Sequence, residues 1–191
     1  MRTNTITRST KETQITLTIN LDGSGRGDIN SGNNFLDHLL KSLATHSLFD
    51  IQLHATGDLT HHVVEDIAIC LGNAIRDALH DSIGLTRFGY AIVPMDDSLA
   101  LAAVDLVTRP YSKLNLKLEG AAIEDLPTED ILHFFETLIL SLKATIHLWV
   151  FYGHNDHHKI EAATKALALA FKQACIINIS QKQVPSAKGI I

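Results

Sequence analysis

Two copies of one short run carry the chemistry of this 191-residue chain: His61, His62 and Glu65 recur 96 positions later as His157, His158 and Glu161. A His-His-x-x-Glu run opening a helix gathers imidazole nitrogens and a carboxylate oxygen within one turn, a spacing that lets them share a metal ion. Neighbouring residues on a helix point about 100° apart, so His61 and His62 are expected to serve different ions. Glu65 lies within one turn of both rings and can partner either, and Glu161 stands in the same relation to His157 and His158. Nitrogen and oxygen donors with no thiolate nearby suit a borderline divalent ion, Mn, Fe, Co or Zn, rather than an iron–sulfur cluster. One copy alone reads as a polar first turn of a helix. The second copy in register points to a paired metal site.

The elements that must position these runs repeat as well. Alternating apolar residues predict a strand over Glu12 to Asp22, followed by a loop rich in Gly, Asp and Asn from Gly23 to Asn34. A helix from Phe35 to Thr45, a strand from Phe49 to Thr56 and the helix opened by His61 complete the first half. The second half gives strands over Asp97 to Val107 and Tyr111 to Glu119, a helix over Asp130 to Lys143, a strand over Thr145 to Tyr152 and the helix opened by His157. The same order twice implies an α+β fold with internal duplication: two small units, each a mostly antiparallel or mixed sheet with two helices on one face. The expected layout is one pseudo-symmetric domain over 1–191, with repeats at 9–85 and 86–176 and a C-terminal tail at 177–191.

Laying one half on the other brings out His38 and His133, which precede the first motif histidine of their halves by 23 and 24 positions. Leu36, Leu39, Leu40 and Leu43 form the apolar stripe of one helix, and Phe134, Phe135, Leu138, Ile139 and Leu142 that of the other. Both histidines face away from these stripes. Each becomes a third nitrogen ligand for one ion, giving three imidazoles and one carboxylate with room for a further ligand. A ligand facing away from its own core calls for closure against another subunit.

The composition sets bounds. A net charge of −5 offers no basic patch for nucleic acid. No long apolar run or cleavable leader stands out, which leads to the expectation of a cytoplasmic protein with no membrane partner. Cys70 and Cys175 sit in separate apolar stretches and read as buried thiols.

Further short runs extend the pattern along nearly the whole chain: Phe35-Leu36-Asp37-His38, Gly57-Asp58 to Glu65-Asp66, Arg87-Phe88-Gly89, Arg109-Pro110-Tyr111, His133-Phe134-Phe135, Asn155 to Glu161-Ala162, and Pro185-Ser186-Ala187-Lys188-Gly189. In this order and combination the chain resembles the imidazoleglycerol-phosphate dehydratase family. The resemblance implies a ribosomal S5 domain 2-like fold and a carbon–oxygen lyase of histidine biosynthesis that converts imidazoleglycerol phosphate to imidazole acetol phosphate. It also implies two Mn ions per site and 24 subunits built from trimers, with sites between subunits. The ions would bind the substrate ring as imidazolate, which makes the hydroxyl a better leaving group and the neighbouring C–H acidic, while a carboxylate shuttles protons.

Residue by residue, Glu12 matches the family's catalytic glutamate, and Asp97 occupies its place in the second repeat, where the family has Glu. Arg87 and Arg109 match phosphate-binding positions, since a planar guanidinium grips phosphate oxygens in pairs. Lys165, one turn after Glu161, is expected to reach the phosphate or pair with that acid. Ser186 and Lys188 match a substrate-contacting tail, and His46 a histidine near the substrate or a helix cap. The chain departs from the family in a shortened segment between Asp58 and His61, and in Ser42 where Gln is common. His54, His80, His147 and His154 have no matched role. A dinuclear metallohydrolase and a metal-binding module without catalysis are the competing readings; neither needs Glu12 or the tail.

Overall fold

The computed structural model describes residues 1–189. The elements run β1 Thr3–Ser9, β2 Thr13–Asn20, β3 Gly27–Asn30, α1 Asn34–Ser47, β4 Asp50–Gly57 and α2 Thr60–Ala78 in the first half. The second half has β5 Phe88–Met95, β6 Ser98–Asp105, β7 Tyr111–Asn115, β8 Ala122–Ile123, β9 Leu126–Pro127, α3 Thr128–Leu142, β10 Thr145–Tyr152 and α4 Asp156–Ala174. The sheets have the orders β1-β2-β4-β3 and β5-β6-β10-β7, and in both the third-listed strand pairs antiparallel with its hairpin neighbour and parallel with the edge strand. One topology is therefore used twice, an α+β duplication.

Period-two patterning decides which face of each sheet is dry. Ile15, Leu17 and Ile19 of β2, Ile51 and Leu53 of β4, and Ile146, Leu148 and Val150 of β10 all point inward and are buried. The expected stripes on α1 and α3 are buried too. Each sheet packs on its own two helices, while α1 packs on α4 and α2 on α3, across the halves. Four helices thus lie between two outer sheets, and their apolar residues merge into one core. Cys70 and Cys175 are buried in that core as free thiols, and burial pushes their pKa values up to about 11 and about 12.

The α2–α3 contact fixes the relative direction of these helices. His61 at the start of α2 meets Asp130 at the start of α3, and Arg76 near the end of α2 donates to the Ser141 carbonyl near the end of α3 at 3.0 Å. The two helices run parallel. Gly72 permits the close approach: a Cβ there would lie 2.7 Å from the Leu138 carbonyl oxygen.

Five strands were not anticipated: β1, β3 and β5, and the two-residue β8 and β9 that pair with each other. β1 carries Thr, Asn and Arg around a single Ile and has no deeply buried position; it pairs along its length with β2, which extends the first sheet back to Thr3. β3 is four residues inside the Gly/Asp/Asn loop, with only Ile29 buried. β5 pairs with β6. The strand expected to reach Glu119 stops at Asn115, where the chain enters a connector that has no counterpart of similar length in the first half. Among the described residues no helix is long and apolar enough to cross a membrane.

Candidate metal centre

Parallel packing across the halves crosses the ligands. His38 on the second turn of α1 meets not the first motif but the second, His157 and Glu161 on the opening turns of α4. His133 of α3 meets His61 and Glu65 of α2. In each trio the ligand atoms lie within 4.8 Å of one another. The Nε2 atoms of His38 and His157 stand 3.5 and 3.4 Å from Glu161 Oε2, and His133 Nε2 stands 3.4 Å from Glu65 Oε1. The His61 and His133 rings stack at 5.0 Å. His133 Nε2 is buried without a hydrogen-bond partner among the described residues, a polar atom aimed at a cluster that a cation would satisfy. Two imidazoles and a carboxylate converging in this way suit a divalent ion with nitrogen and oxygen preference. An open cleft of about 510 Å³ adjoins the α1–α4 trio, lined by Asn34, Phe35, His38, Glu124, Asp125 and His157.

All four motif histidines have a carboxylate at Nδ1. His61 pairs with Asp130 at 2.6 Å, His62 with Asp58 at 2.8 Å, His157 with Glu124 at 3.1 Å and His158 with Asp97 at 2.6 Å. A carboxylate on one ring nitrogen fixes the tautomer and leaves the other nitrogen to a metal. His62 and His158 point away from the trios, as divergent neighbours on a helix must. Within one chain each trio therefore has two imidazoles, not the expected three. The hydrogen bond that His62 donates to Asp58 raises the pKa of His62 and lowers that of Asp58.

The connector between β7 and α3 sets the α4 end of this arrangement. Asp125 accepts from the backbone N–H groups of Asn34 and Phe35 at 2.8 and 2.9 Å and so satisfies free donors of the first turn of α1. Asp156 accepts from the N–H groups of Glu119 and Gly120, and the fully buried Lys159 donates to Asp156 and to the Lys117 carbonyl, each at 2.8 Å. Sequence reading missed Asp58, Glu124, Asp130 and Lys159. Asp130, three residues before His133 on the same helix face, carried the one usable signal: an acid at i−3 on a ligand-bearing face.

The other candidates separate into two groups. Glu12 is exposed in the β1–β2 turn, its Oε2 3.9 Å from His62 Nδ1. Asp97 has no such freedom: the His154 and Asn155 N–H groups donate to one oxygen at 2.5 and 3.1 Å and His158 bonds the other, which holds its pKa far below the usual carboxylate range. Lys165 pairs with Glu161 at 2.9 Å. His46 lies near them, its pKa lowered by burial and by the Lys165 charge. Ser42, a turn after His38, has a buried hydroxyl with no hydrogen-bond partner among the described residues.

Arg87, Arg109, Ser186 and Lys188 sit elsewhere. Arg87 grips Asp105 with two bonds of 2.6 and 3.0 Å and donates to the Pro185 carbonyl at 2.9 Å, so its guanidinium anchors the tail. Its backbone N–H donates to the carbonyl of Ala174, the last residue of α4. Arg109 is exposed, with no ion pair among the described residues. Ser186 Oγ accepts from the Lys188 N–H at 3.2 Å. Val184 and Gly189 line a cleft with Leu79, Thr108 and Leu142, at the C-terminal ends of α2 and α3. The metal trios stand at the N-terminal ends. With 19 residues in α2, the two groups are about 28 Å apart along the helix axis.

A duplicated α+β scaffold with two pseudo-symmetric imidazole–carboxylate trios defines a candidate metalloenzyme. The sequence model of imidazoleglycerol-phosphate dehydratase matches residues 31–171. The imidazoleglycerol-phosphate dehydratase of Chloroherpeton thalassium is 48% identical over 189 residues, 97% of this chain and 96% of that protein. Crystal structures of the dehydratases of Pyrococcus furiosus, in complex with (S)-C348, and Staphylococcus aureus both superpose with a TM-score of 0.85. They are 38% and 32% identical, covering 97% and 92% of this chain and 100% and 99% of theirs. The chain belongs to the imidazoleglycerol-phosphate dehydratase family and is a hydro-lyase.

Proposed function

We propose that this chain removes water from imidazoleglycerol phosphate to give imidazole acetol phosphate in L-histidine biosynthesis, as a cytoplasmic homo-oligomer. The observation that carries the reading is the pair of crossed trios in a chain matched end to end by dehydratases. His38, His157 and Glu161 would hold one Mn ion and His61, Glu65 and His133 the second, with His62 and His158 supplied from neighbouring subunits. When bound, the ions supply Lewis-acid charge to the imidazole ring of the substrate.

The chain's own residues then divide the work. Glu12, exposed and without a backbone donor to its carboxylate among the described residues, accepts the proton from carbon and returns it to the departing hydroxyl, so that one water leaves in total. Asp97 is in the corresponding turn but is saturated by donors. Its part is to orient His158 and the turn that opens α4. Arg109, Ser186 and Lys188 offer a guanidinium, a hydroxyl and an ammonium to the phosphate. Arg87 holds the tail that carries two of them, and Lys165 and His46 line the ring end of the site. The span between tail and trios exceeds the length of the substrate, so one site must draw on several chains, consistent with an assembly of 24 subunits from trimers.

Purified protein incubated with imidazoleglycerol phosphate and Mn is expected to release imidazole acetol phosphate, and Glu12→Gln to lower turnover by about 10²- to 10⁴-fold with metal binding unchanged. Release of inorganic phosphate instead would indicate the hydrolase, and no turnover with bound metal the non-catalytic module.

A further inference from the structure

The two trios are related by the internal duplication, yet their surroundings differ at two matched positions. Three residues before the α3 ligand His133 stands Asp130, buried and bonded to His61 Nδ1 at 2.6 Å. Three residues before the α1 ligand His38 stands Phe35, whose ring packs at 5.0 Å from His157. Four residues after Glu65 stands Ile69, whereas four residues after Glu161 stands Lys165, whose ammonium lies 2.9 Å from the Glu161 carboxylate. Both differences act in one direction. The α2–α3 trio gains a buried negative charge behind its histidine, and the α1–α4 trio gains a positive charge on its carboxylate. Glu124 replaces Asp130 as the partner of the α1–α4 histidine, but over a longer bond of 3.1 Å and from a side chain that is 62% exposed, where solvent weakens its effect.

We infer that the two metal sites are unequal: the trio of His61, Glu65 and His133 is the tight site that fills first, and that of His38, His157 and Glu161 is the weaker, exchangeable one. Asp130 and Lys165 set the difference as positioning residues. The physical basis is direct. A cation gains from a buried carboxylate that makes its imidazole ligand more basic, and loses when an ammonium already occupies half of its carboxylate ligand. Outer partners of this kind change metal affinity by about 10- to 100-fold, which sets the expected gap between the sites. The inference rests on the reading of the trios as metal sites and goes beyond it in ranking them.

The test is titration of the metal-stripped enzyme with Mn, followed by calorimetry and by the EPR signal of free Mn, together with anomalous diffraction from crystals given one equivalent per chain. Two affinity classes at least tenfold apart are expected, with the anomalous peak concentrated at His61, Glu65 and His133. Lys165→Met should tighten only the weak class, and Asp130→Asn should weaken only the tight one. A single class, equal anomalous peaks, or a stronger peak at His38, His157 and Glu161 would overturn the ranking. These wild-type readouts stand whether or not the Asp130 variant folds. Dehydration of imidazoleglycerol phosphate by the same preparation reports separately on the proposed activity: turnover with one affinity class sinks the ranking alone, whereas two classes without turnover sink the activity alone.

Discussion

Mixing two inactive variants should restore activity. His61→Ala removes a ligand from the start of α2, and a double Ser186→Ala, Lys188→Ala change disables the tail, near the far end of that helix. The 19 residues of α2 separate the two lesions by about 28 Å within one chain. A substrate made of one imidazole, three carbons and a phosphate spans roughly a third of that, so no site confined to one chain can use both groups. If each site takes its trio from one subunit and its tail from another, a random 1:1 assembly leaves roughly a quarter of the sites with both parts intact, as expected for a heterologous interface. Co-expression with distinct affinity tags, two-step purification of hybrids and an assay for imidazole acetol phosphate would measure this. Recovery near a quarter of the wild-type rate is expected. Hybrids no more active than either parent would show that trio and tail act within one chain, and the inter-subunit site would be wrong.

Other outcomes follow from the same geometry. Stripping metal should abolish turnover and loosen the assembly, because ligands shared between chains link metal binding to association; sedimentation with and without chelator checks this, and full-sized particles without metal would contradict the linkage. Gly72→Ala places a methyl 2.7 Å from the Leu138 carbonyl oxygen, and should cost about 1–3 kcal/mol and several degrees of Tm as α2 and α3 are pushed apart. Asp97 has a folded pKa far below its ordinary value of about 4, so its contribution to stability is present above that value and fades as pH falls toward the folded pKa. Asp97→Asn should thus lower Tm at pH 7 by an amount that shrinks in acid, and a difference that stays constant with pH would refute its role in holding the β10–α4 turn.

Much of this molecule could be read from its sequence, and the failures have physical causes. Strands with one dry face, such as Thr145–Tyr152, and helices with a leucine stripe, such as α1, announce themselves through their periodicity. Thr3–Ser9 does not, because an edge strand with no deeply buried face carries no hydrophobic alternation. Gly27–Asn30 is held by its parallel pairing with β4 rather than by its own composition. The ligand types were legible at the site because His-His-x-x-Glu recurs. Their partition was not. Matched separations of 23 and 24 residues associate His38 with the first motif and His133 with the second, whereas the packing of α1 on α4 and α2 on α3 exchanges them. The bracing acids Asp58 and Glu124 reach their histidines through local spacing or a tertiary contact that no motif marks, and Asp130, signalled only by its place one turn before His133, braces His61 on another helix. Arg87 shows the converse: its position matches a phosphate ligand, and the sequence does not reveal that Asp105, opposite Phe88 on the adjacent strand, pairs with its guanidinium.

The account stands most directly on where the ions sit. An anomalous difference map at the Mn absorption edge, from crystals of active enzyme with saturating Mn, should show two ions per chain, one among His38, His157 and Glu161 and the other among His61, Glu65 and His133. Ions bound by His38 together with His61, or trios that stay empty while the enzyme turns over, would contradict it.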